Sequence, residues 1–219
     1  MDQDRAGVPS FPALYVICDR DVCDRAGWAL TDFAAACVEG GARLLQVRDK
    51  RASSAGLLET VQAVLERVRS TGAMVIVNDR ADVARLAGAA GVHVGQDDLS
   101  PASVRPIVSE AALIGLSTHT RAQLDRAVRE PISYLAIGPV FGTTTKVTGY
   151  DAAGLGRVGE AATAAGVRRL PVVGIGGITL DRAPSVIAAG ATSVAVASDL
   201  LVAQNPEQRV RAYVDRLER

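Results

Sequence analysis

Eight short apolar runs recur along the chain, and each ends in or is followed by Gly, Asp, Asn, Ser or Thr. The runs are rich in Val, Ile and Leu, which is typical of strands that are buried on both faces of a parallel sheet. The predicted strands are Ala13–Asp19, Leu44–Arg48, Met74–Asp79, Gly91–Gly95, Leu113–Thr118, Tyr134–Val140, Pro171–Gly177 and Ser193–Ser198. This repetition restricts the available folds more than any other feature of the sequence.

Segments with the apolar spacing of amphipathic helices separate these runs. We predict that Thr31 caps the first of them. The predicted helices are Thr31–Glu39, Ser54–Arg69, Asp82–Ala90, Arg121–Arg129, Ala152–Ala165 and Asp181–Ala189. Eight predicted strands that alternate with helical segments in a chain of 219 residues favour a single-domain α/β fold, the (β/α)8 TIM barrel. The alternative is an open doubly wound sheet, which normally has fewer strands. We predict an N-terminal tail over residues 1–12 and a catalytic barrel domain over residues 13–219.

The composition excludes several classes of protein. The chain has 24 Lys and Arg residues against 24 Asp and Glu residues, which argues against a dedicated nucleic-acid binder. No apolar run reaches the roughly 18 residues that a membrane span needs, and the polar N-terminus does not resemble a secretory signal. Three cysteines form no even set of disulfides and indicate reduced thiols. We therefore expect a cytoplasmic protein with no nucleic-acid partner and no membrane partner.

A glycine-rich segment follows predicted strand 7, and a segment that begins a helix follows predicted strand 8. In a barrel, function gathers at the carboxyl ends of the strands, and the loops after strands 7 and 8 often bind a phosphate group. The glycines of GIGGIT expose backbone N–H groups, and a short helix is predicted to begin at Ser198. The pattern indicates a phosphate site, although the glycines could serve only to form a tight turn.

Cationic residues follow two other strands. Arg48 and Lys50 are two residues apart and leave the second strand on the same side, in phase with Gln46. Lys146 follows the three threonines of the loop after strand 6. Several cations and hydroxyl groups suit a polyanion larger than one phosphate. The alternative is that these charges are ordinary solvated residues at the rim of the barrel.

Carboxylates face this cationic group at the ends of strands 3 and 4. Asp79 and the pair Asp97-Asp98 would repel a polyanion unless a cation bridges them, and Mg²⁺ is commonly held by one or two carboxylates together with phosphate oxygens. Asp98 could instead cap the next helix. Asn78 can orient a ligand without adding charge.

The sequence offers no recognisable nucleophile. It contains no G-x-S-x-G, C-x-x-C or H-E-x-x-H motif. We expect His93 to be packed inside the barrel and His119 to face the rim, and Cys18 has no adjacent base to activate it. Phosphate sites, a magnesium site and the lack of a nucleophile together suit a two-substrate reaction in which diphosphate leaves.

The chain resembles thiamine-phosphate synthases from LYVICDR through VASDLL. The matching motifs are QVRDK, VNDR, GVHVGQDDL, GLSTHT, GPVFGTTTK, GIGGI and VAS, in that order and at consecutive strand ends. The resemblance implies a transferase that joins 4-amino-2-methyl-5-pyrimidinylmethyl diphosphate to a thiazole phosphate. The products would be thiamine phosphate and diphosphate. It also implies reaction by ionisation, in which diphosphate departs before the thiazole nitrogen attacks.

The resemblance assigns roles to individual residues. It implies that Lys50, Lys146 and Ser117 are catalytic and that Asp79 and Asp98 bind Mg²⁺. The implied contacts to the pyrimidine diphosphate are Gln46, Arg48, Lys50, Asn78, Ser117 and Lys146. The implied contacts to the thiazole phosphate are Thr143, Thr144, Thr145, Gly177, Ala197 and Ser198.

Two other functions stay open at this point. One is an isomerase that acts on the thiazole phosphate, and the other is a non-catalytic barrel that binds phosphorylated ligands. The expected partners are two small phosphorylated substrates, and the sequence leaves open whether the chain forms a homo-oligomer. We also expect the polar segment Gly142–Tyr150 to order over bound substrate, since it is glycine-containing and carries the Thr and Lys candidates.

Overall fold

The computed structural model of the protein describes residues 11–142 and 149–218. Its strands are β1 (Leu14–Asp19), β2 (Leu44–Arg48), β3 (Met74–Asn78), β4 (Gly91–Val94), β5 (Leu113–Thr118), β6 (Tyr134–Ile137), β7 (Val172–Ile175) and β8 (Ser193–Val196). Its α-helices are α1 (Arg20–Arg25), α2 (Leu30–Glu39), α3 (Ser54–Val68), α4 (Ala81–Ala87), α5 (Pro101–Val104), α6 (Arg121–Ala127), α7 (Gly154–Gly166), α8 (Ala183–Ala188) and α9 (Pro206–Leu217). Short 3-10 helices span Arg69–Thr71 and Ser198–Leu201.

The eight strands form one closed parallel barrel in chain order. The closure is made by β1, which pairs with β2 on one side and with β8 on the other. Val16, for example, is opposite Leu45 of β2 and Val196 of β8. The predicted TIM barrel is thereby confirmed as a single domain. The open doubly wound sheet is wrong, because the strands leave no edge.

Alternation along the strands divides the core into two layers. In β1, Leu14, Val16 and Cys18 pack against the helices, whereas Tyr15 and Ile17 point into the barrel. Side chains on both faces are buried, which explains why the strands read as continuous apolar runs. The buried interior cluster comprises Tyr15, Ile17, Leu44, Ile76, Tyr134, Ala136, Val173 and Ala195.

The helices depart from the predictions mainly at their ends. The prediction that Thr31 caps a helix is wrong, since α2 begins at Leu30 after Ala29, which makes no side-chain capping bond. By contrast, Ser53 caps α3 by accepting a hydrogen bond from the Gly56 N–H at 3.2 Å. Helix α2 lies against α3 and α9, so packing fixes its start without a cap.

All three cysteines are free and buried. Burial raises the pKa of the Cys23 thiol to about 12 and raises the pKa values of Cys18 and Cys37 as well. These thiols therefore stay protonated near neutral pH. Within residues 11–142 and 149–218, no helix is both long enough and apolar enough to cross a membrane.

Burial in the outer core predicts that two leucines on helices of equal length contribute very differently to the free energy of unfolding. Leu124 of α6 is fully buried, whereas the side chain of Leu86 in α4 is 69% exposed. We expect Leu124→Ala to lower the free energy of unfolding by about 3 kcal/mol, because it removes buried methyl groups and leaves a cavity. The matched change Leu86→Ala should cost less than about 0.5 kcal/mol. Chemical denaturation of both variants checks this, and equal losses would contradict the assignment of the two helix faces.

Candidate active site

A cavity of about 670 Å³ opens at the carboxyl ends of the strands. Every strand or the loop that follows it contributes to its wall. One contributor from each strand, in order, is Asp19, Arg48, Asn78, His93, Ser117, Ala136, Ile175 and Val196. Of the predicted site residues, those in the wall are Gln46, Arg48, Asn78, Ser117, Gly177, Ala197 and Ser198. The fold thus brings residues from both predicted substrate sites to one cavity.

Other predicted residues either are not in this wall or are not described by the structure. Lys50, Asp79 and Asp98 are not in the wall of this cavity. Thr143–Thr145 and Lys146 lie outside the described residues, as do most of the segment Gly142–Tyr150 and most of the predicted N-terminal tail.

The inner end of the cavity is neutral. Gln46 is buried, and its Nε2 donates a hydrogen bond to the Tyr15 hydroxyl at 2.9 Å. Ile17, Ala136 and Val173 line the same region. An amide group surrounded by apolar side chains can bind a flat heterocycle and fix its orientation through hydrogen bonds.

The cation Arg48 is held by a buried carboxylate. Its guanidinium donates to Asp19, which is 3% exposed. The other carboxylate oxygen of Asp19 accepts a hydrogen bond from the Val22 N–H at 3.1 Å and so caps α1. This pairing fixes the guanidinium at the cavity wall, where it can meet an anion without first being ordered.

Lys50, Asp79 and Asp98 form a second charged group beside the cavity. Lys50 pairs with Asp79, whose backbone adopts a left-handed conformation with φ of 62°. The pKa of Asp79 is raised, first by burial and then by its contact with the Asp98 carboxyl group. Two adjacent carboxylates, partly removed from water, supply the oxygen donors that Mg²⁺ prefers. The residues present therefore fit a magnesium ion.

Asp98 does not cap the helix that follows it. Its Oδ2 accepts a hydrogen bond from the Gly95 N–H at 2.8 Å, and Ser100 caps α5 instead. The neighbouring Asp97 is exposed. Across residues 11–142 and 149–218, no group of three or more His, Cys, Asp or Glu side chains could hold a metal ion, so Asp79 and Asp98 would hold one as a pair.

Gly177 lies where the loops after β6 and β7 meet. Its φ is +64°, and a Cβ at this position would lie 2.4 Å from the carbonyl oxygen of Gly142. A side chain would therefore press on the backbone of the neighbouring loop and not extend into the open cavity. The direct effect of a larger residue at this position is therefore on loop packing.

The 3-10 helix at Ser198 is anchored through the next residue. One carboxylate oxygen of Asp199 accepts hydrogen bonds from Arg209 Nη2 at 2.8 Å, the Tyr213 hydroxyl at 2.5 Å and the Leu180 N–H at 3.2 Å. These contacts tie the loops after β7 and β8 to α9. They hold Ser198 in the cavity wall.

Sequence reasoning missed a cation on this side. Arg182 lines the cavity, and its Nη1 donates to the carbonyl oxygen of Gly177 at 3.0 Å. Its guanidinium carbon lies 4.8 Å from the centre of the Phe141 ring. Arg182 is at no strand end and in no recognised motif, so no sequence signal points to it. Tyr15, also missed, could have been found from the alternation along β1.

Comparison with known proteins agrees with this geometry. The model of the family described as thiamine monophosphate synthase matches residues 14–200. The chain belongs to this family. The thiamine-phosphate synthase of Koribacter versatilis is 43% identical over 208 residues, which cover 93% of this chain and 94% of the relative. The thiamine-phosphate synthase of Roseiflexus castenholzii is 41% identical over 202 residues, 92% of this chain and 86% of the relative.

Solved structures lead to the same family. The thiamine phosphate pyrophosphorylase of Pyrococcus furiosus superimposes with a TM-score of 0.83 at 29% identity, covering 94% of this chain and 95% of that one. The orotidine 5'-phosphate decarboxylase of Pyrococcus horikoshii, at 18% identity and a TM-score of 0.63, shares the fold alone. Membership of the thiamine monophosphate synthase family confirms the resemblance seen in the motifs. It makes this protein a transferase of thiamine biosynthesis.

Proposed function

We propose that this enzyme condenses 4-amino-2-methyl-5-pyrimidinylmethyl diphosphate with a thiazole phosphate. The bond from the pyrimidine methylene carbon to the diphosphate oxygen breaks, and the thiazole nitrogen forms the new bond to that carbon. Thiamine phosphate and diphosphate result. The observation that supports this most strongly is the shared cavity, whose wall contains Gln46, Arg48 and Ser117 together with Gly177 and Ser198.

The pyrimidine ring is proposed to occupy the inner end of the cavity. Gln46 offers amide hydrogen bonds there, and the apolar side chains of Ile17 and Ala136 offer contact to the faces of a flat ring. Asn78 at the end of β3 adds a second amide. None of these four side chains carries a full charge, so the pocket they form suits a neutral heterocycle.

The diphosphate is proposed to lie toward Arg48 and Lys50. Arg48 would bind phosphate oxygens from its fixed position beside Asp19, and the Ser117 hydroxyl would donate a hydrogen bond to a diphosphate oxygen. Asp79 and Asp98 would hold Mg²⁺, which would supply positive charge to the departing diphosphate. Lys50, Ser117 and, from outside the described residues, Lys146 are the proposed catalytic groups.

The thiazole phosphate is proposed to bind at the loops after β7 and β8. The contacts would be backbone N–H groups near Gly177 and Ala197 and the hydroxyl of Ser198. Arg182 adds a positive charge on the same side. We further propose Thr143, Thr144 and Thr145 as ligands, and the segment Gly142–Tyr150 as the part of the chain that covers bound substrate.

An isomerase acting on the thiazole phosphate alone is less well supported. It would have no use for the group formed by Arg48, Lys50, Asp79 and Asp98. We also propose that the catalytic barrel spans residues 13–219 after a short N-terminal tail. The enzyme is proposed to be cytoplasmic and to have two small phosphorylated substrates as its partners.

The reaction can be tested directly by release of diphosphate. With Mg²⁺ and both substrates, we expect diphosphate and thiamine phosphate to form in equal amounts. Omission of either substrate or addition of a chelator should abolish the formation of thiamine phosphate. Tight binding of both substrates without any product would instead identify a non-catalytic barrel, and conversion of the thiazole substrate alone would identify an isomerase.

The magnesium site can be tested by replacing single carboxylates. Asp79→Asn and Asp98→Asn should each raise the Mg²⁺ concentration for half-maximal activity by about tenfold or more, since even residues that only support a metal ligand typically contribute that much. Asp97→Asn is the matched control, because Asp97 is exposed and adjacent in the chain. A shift in the control variant alone, or in none of the three, would show that the site is assigned to the wrong residues.

The thiazole phosphate site can be tested by calorimetry with each substrate separately. Ser198→Ala should weaken binding of the thiazole phosphate a few-fold, about 1 kcal/mol for one hydrogen bond, and leave the pyrimidine diphosphate unaffected. Ser70→Ala is the control, because Ser70 is exposed between α3 and β3 at the opposite end of the barrel. Gly177→Val should weaken thiazole phosphate binding far more, through the clash with Gly142. Loss of only the pyrimidine substrate would mean that the two phosphate sites are reversed.

A further inference from the structure

A continuous chain of hydrogen bonds crosses the barrel interior from Gln46 to Ser117. Gln46 Nε2 donates to the Tyr15 hydroxyl at 2.9 Å, and that hydroxyl lies 2.9 Å from the hydroxyl of Tyr134. The Tyr134 hydroxyl lies 3.0 Å from His93 Nδ1, and His93 Nε2 lies 2.8 Å from Ser117 Oγ. We call these five side chains the interior relay. It joins two predicted contacts of the same substrate.

The barrel is built to let this relay form. His93 of β4 is opposite Gly115 of β5, and Gly115 is opposite Tyr134 of β6. A Cβ on Gly115 would lie 2.1 Å from Tyr134 Cζ and 2.4 Å from His93 Nδ1. Only a residue without a side chain lets the flanking histidine and tyrosine meet across β5. The contact between His93 and Tyr134 is therefore fixed by the register of β4, β5 and β6 and by the glycine at position 115.

The two phenols of the relay each have one proton to donate. Tyr15 and Tyr134 are 1% and 0% exposed, and burial raises the pKa of both hydroxyls. A protonated phenol donates one hydrogen bond and accepts others. In the described structure each of these hydroxyls has its two relay neighbours as hydrogen-bond partners, so a hydroxyl that uses its proton within the relay accepts from one neighbour and donates to the other.

The orientation of the Gln46 amide sets the direction of these hydrogen bonds. Because its Nε2 donates to Tyr15, the Tyr15 proton points to Tyr134, and the Tyr134 proton points to His93 Nδ1. A neutral imidazole that accepts at Nδ1 carries its proton on Nε2, which then donates to Ser117 Oγ. The Ser117 hydroxyl proton is left to point at a ligand. With the amide reversed, Ser117 would instead donate to His93.

We propose that Tyr15, Tyr134 and His93 are positioning residues that make Ser117 a hydrogen-bond donor toward an anionic oxygen of the diphosphate substrate. This inference rests on the proposed function, in which Ser117 contacts that substrate. Gln46 is both the proposed contact of the pyrimidine ring and the start of the relay. Binding of the pyrimidine ring at Gln46 and the orientation of the Ser117 hydroxyl are thereby linked through the barrel interior.

The tautomer of His93 tests the direction in the free enzyme. The chain contains two histidines, His93 and His119, so ¹⁵N-histidine NMR gives two rings, and His119→Gln assigns them. We expect His93 near neutral pH to be a neutral imidazole with its proton on Nε2. A proton on Nδ1, or on both nitrogens, would overturn the proposal.

Two tyrosines provide a matched pair for the next step. Tyr134→Phe breaks the relay and should move the ¹⁵N signals of His93. Tyr213→Phe also removes a buried hydroxyl, which donates to Asp199, but it lies outside the relay and should leave those signals unchanged. Equal changes in the two variants would contradict the relay. If Tyr134→Phe does not fold, the tautomer in the unmodified enzyme still decides.

Kinetics then show whether the relay acts through Ser117. Tyr134→Phe should lower kcat/KM for the pyrimidine diphosphate about fivefold, the size of one ordinary hydrogen bond, but should have almost no effect in a Ser117→Ala background. His93→Gln, which keeps a donor near the Nε2 position, should retain more activity than His93→Leu. Equal effects of Tyr134→Phe in both backgrounds would overturn the proposal.

The two proposals fail separately. If no diphosphate is released from the two substrates although His93 carries its proton on Nε2, the proposed function fails and Ser117 points at a different ligand. If diphosphate is released but the proton of His93 lies on Nδ1, the function stands and the relay is overturned.

Discussion

Closure of the barrel through β1 is the constraint on which the rest of the structure depends. Because β1 pairs with both β2 and β8, the inward side chains of all eight strands share one enclosed space. A polar atom in that space has only the other inward side chains or a ligand as possible partners, and an unpaired buried polar group is costly. The hydrogen bonds of Tyr15, Tyr134 and His93 follow from this restriction. Closure therefore builds the inner part of the site as well as the fold.

The strands and the rim of the site were predictable from the sequence because each leaves a local signal. Burial on both faces produces a continuous apolar run, and a strand end shows as a change to Gly, Asp or Ser, so Arg48, Asn78 and Ser117 were placed correctly at the rim. Contacts between distant residues leave no such signal. The pairing of Arg48 with Asp19, 29 residues away, depends on the register of β1 with β2, and the position of Arg182 depends on how two loops pack.

Three cations in or near the site are already paired with carboxylates. Arg48 contacts Asp19, Lys50 contacts Asp79 and Arg209 contacts Asp199. Such pairing is consistent with the zero net charge of the chain and holds each cation in a defined geometry. It also means that an incoming polyanion adds negative charge to groups that are already neutralised. Additional positive charge would favour binding of such a polyanion, which supports the proposal of a divalent cation beside Asp79 and Asp98.

Charge is separated by depth within the cavity. The inner wall is formed by neutral groups such as Gln46, Ile17 and Ala136, whereas Arg48 and Arg182 lie on wall segments that follow or end the strands. A full charge at the inner end would lose its hydration without a partner, at a large cost in free energy. At the rim, the same charge keeps part of its hydration and meets fixed partners. One barrel can therefore bind the neutral ring of a substrate inside and its phosphate groups at the rim.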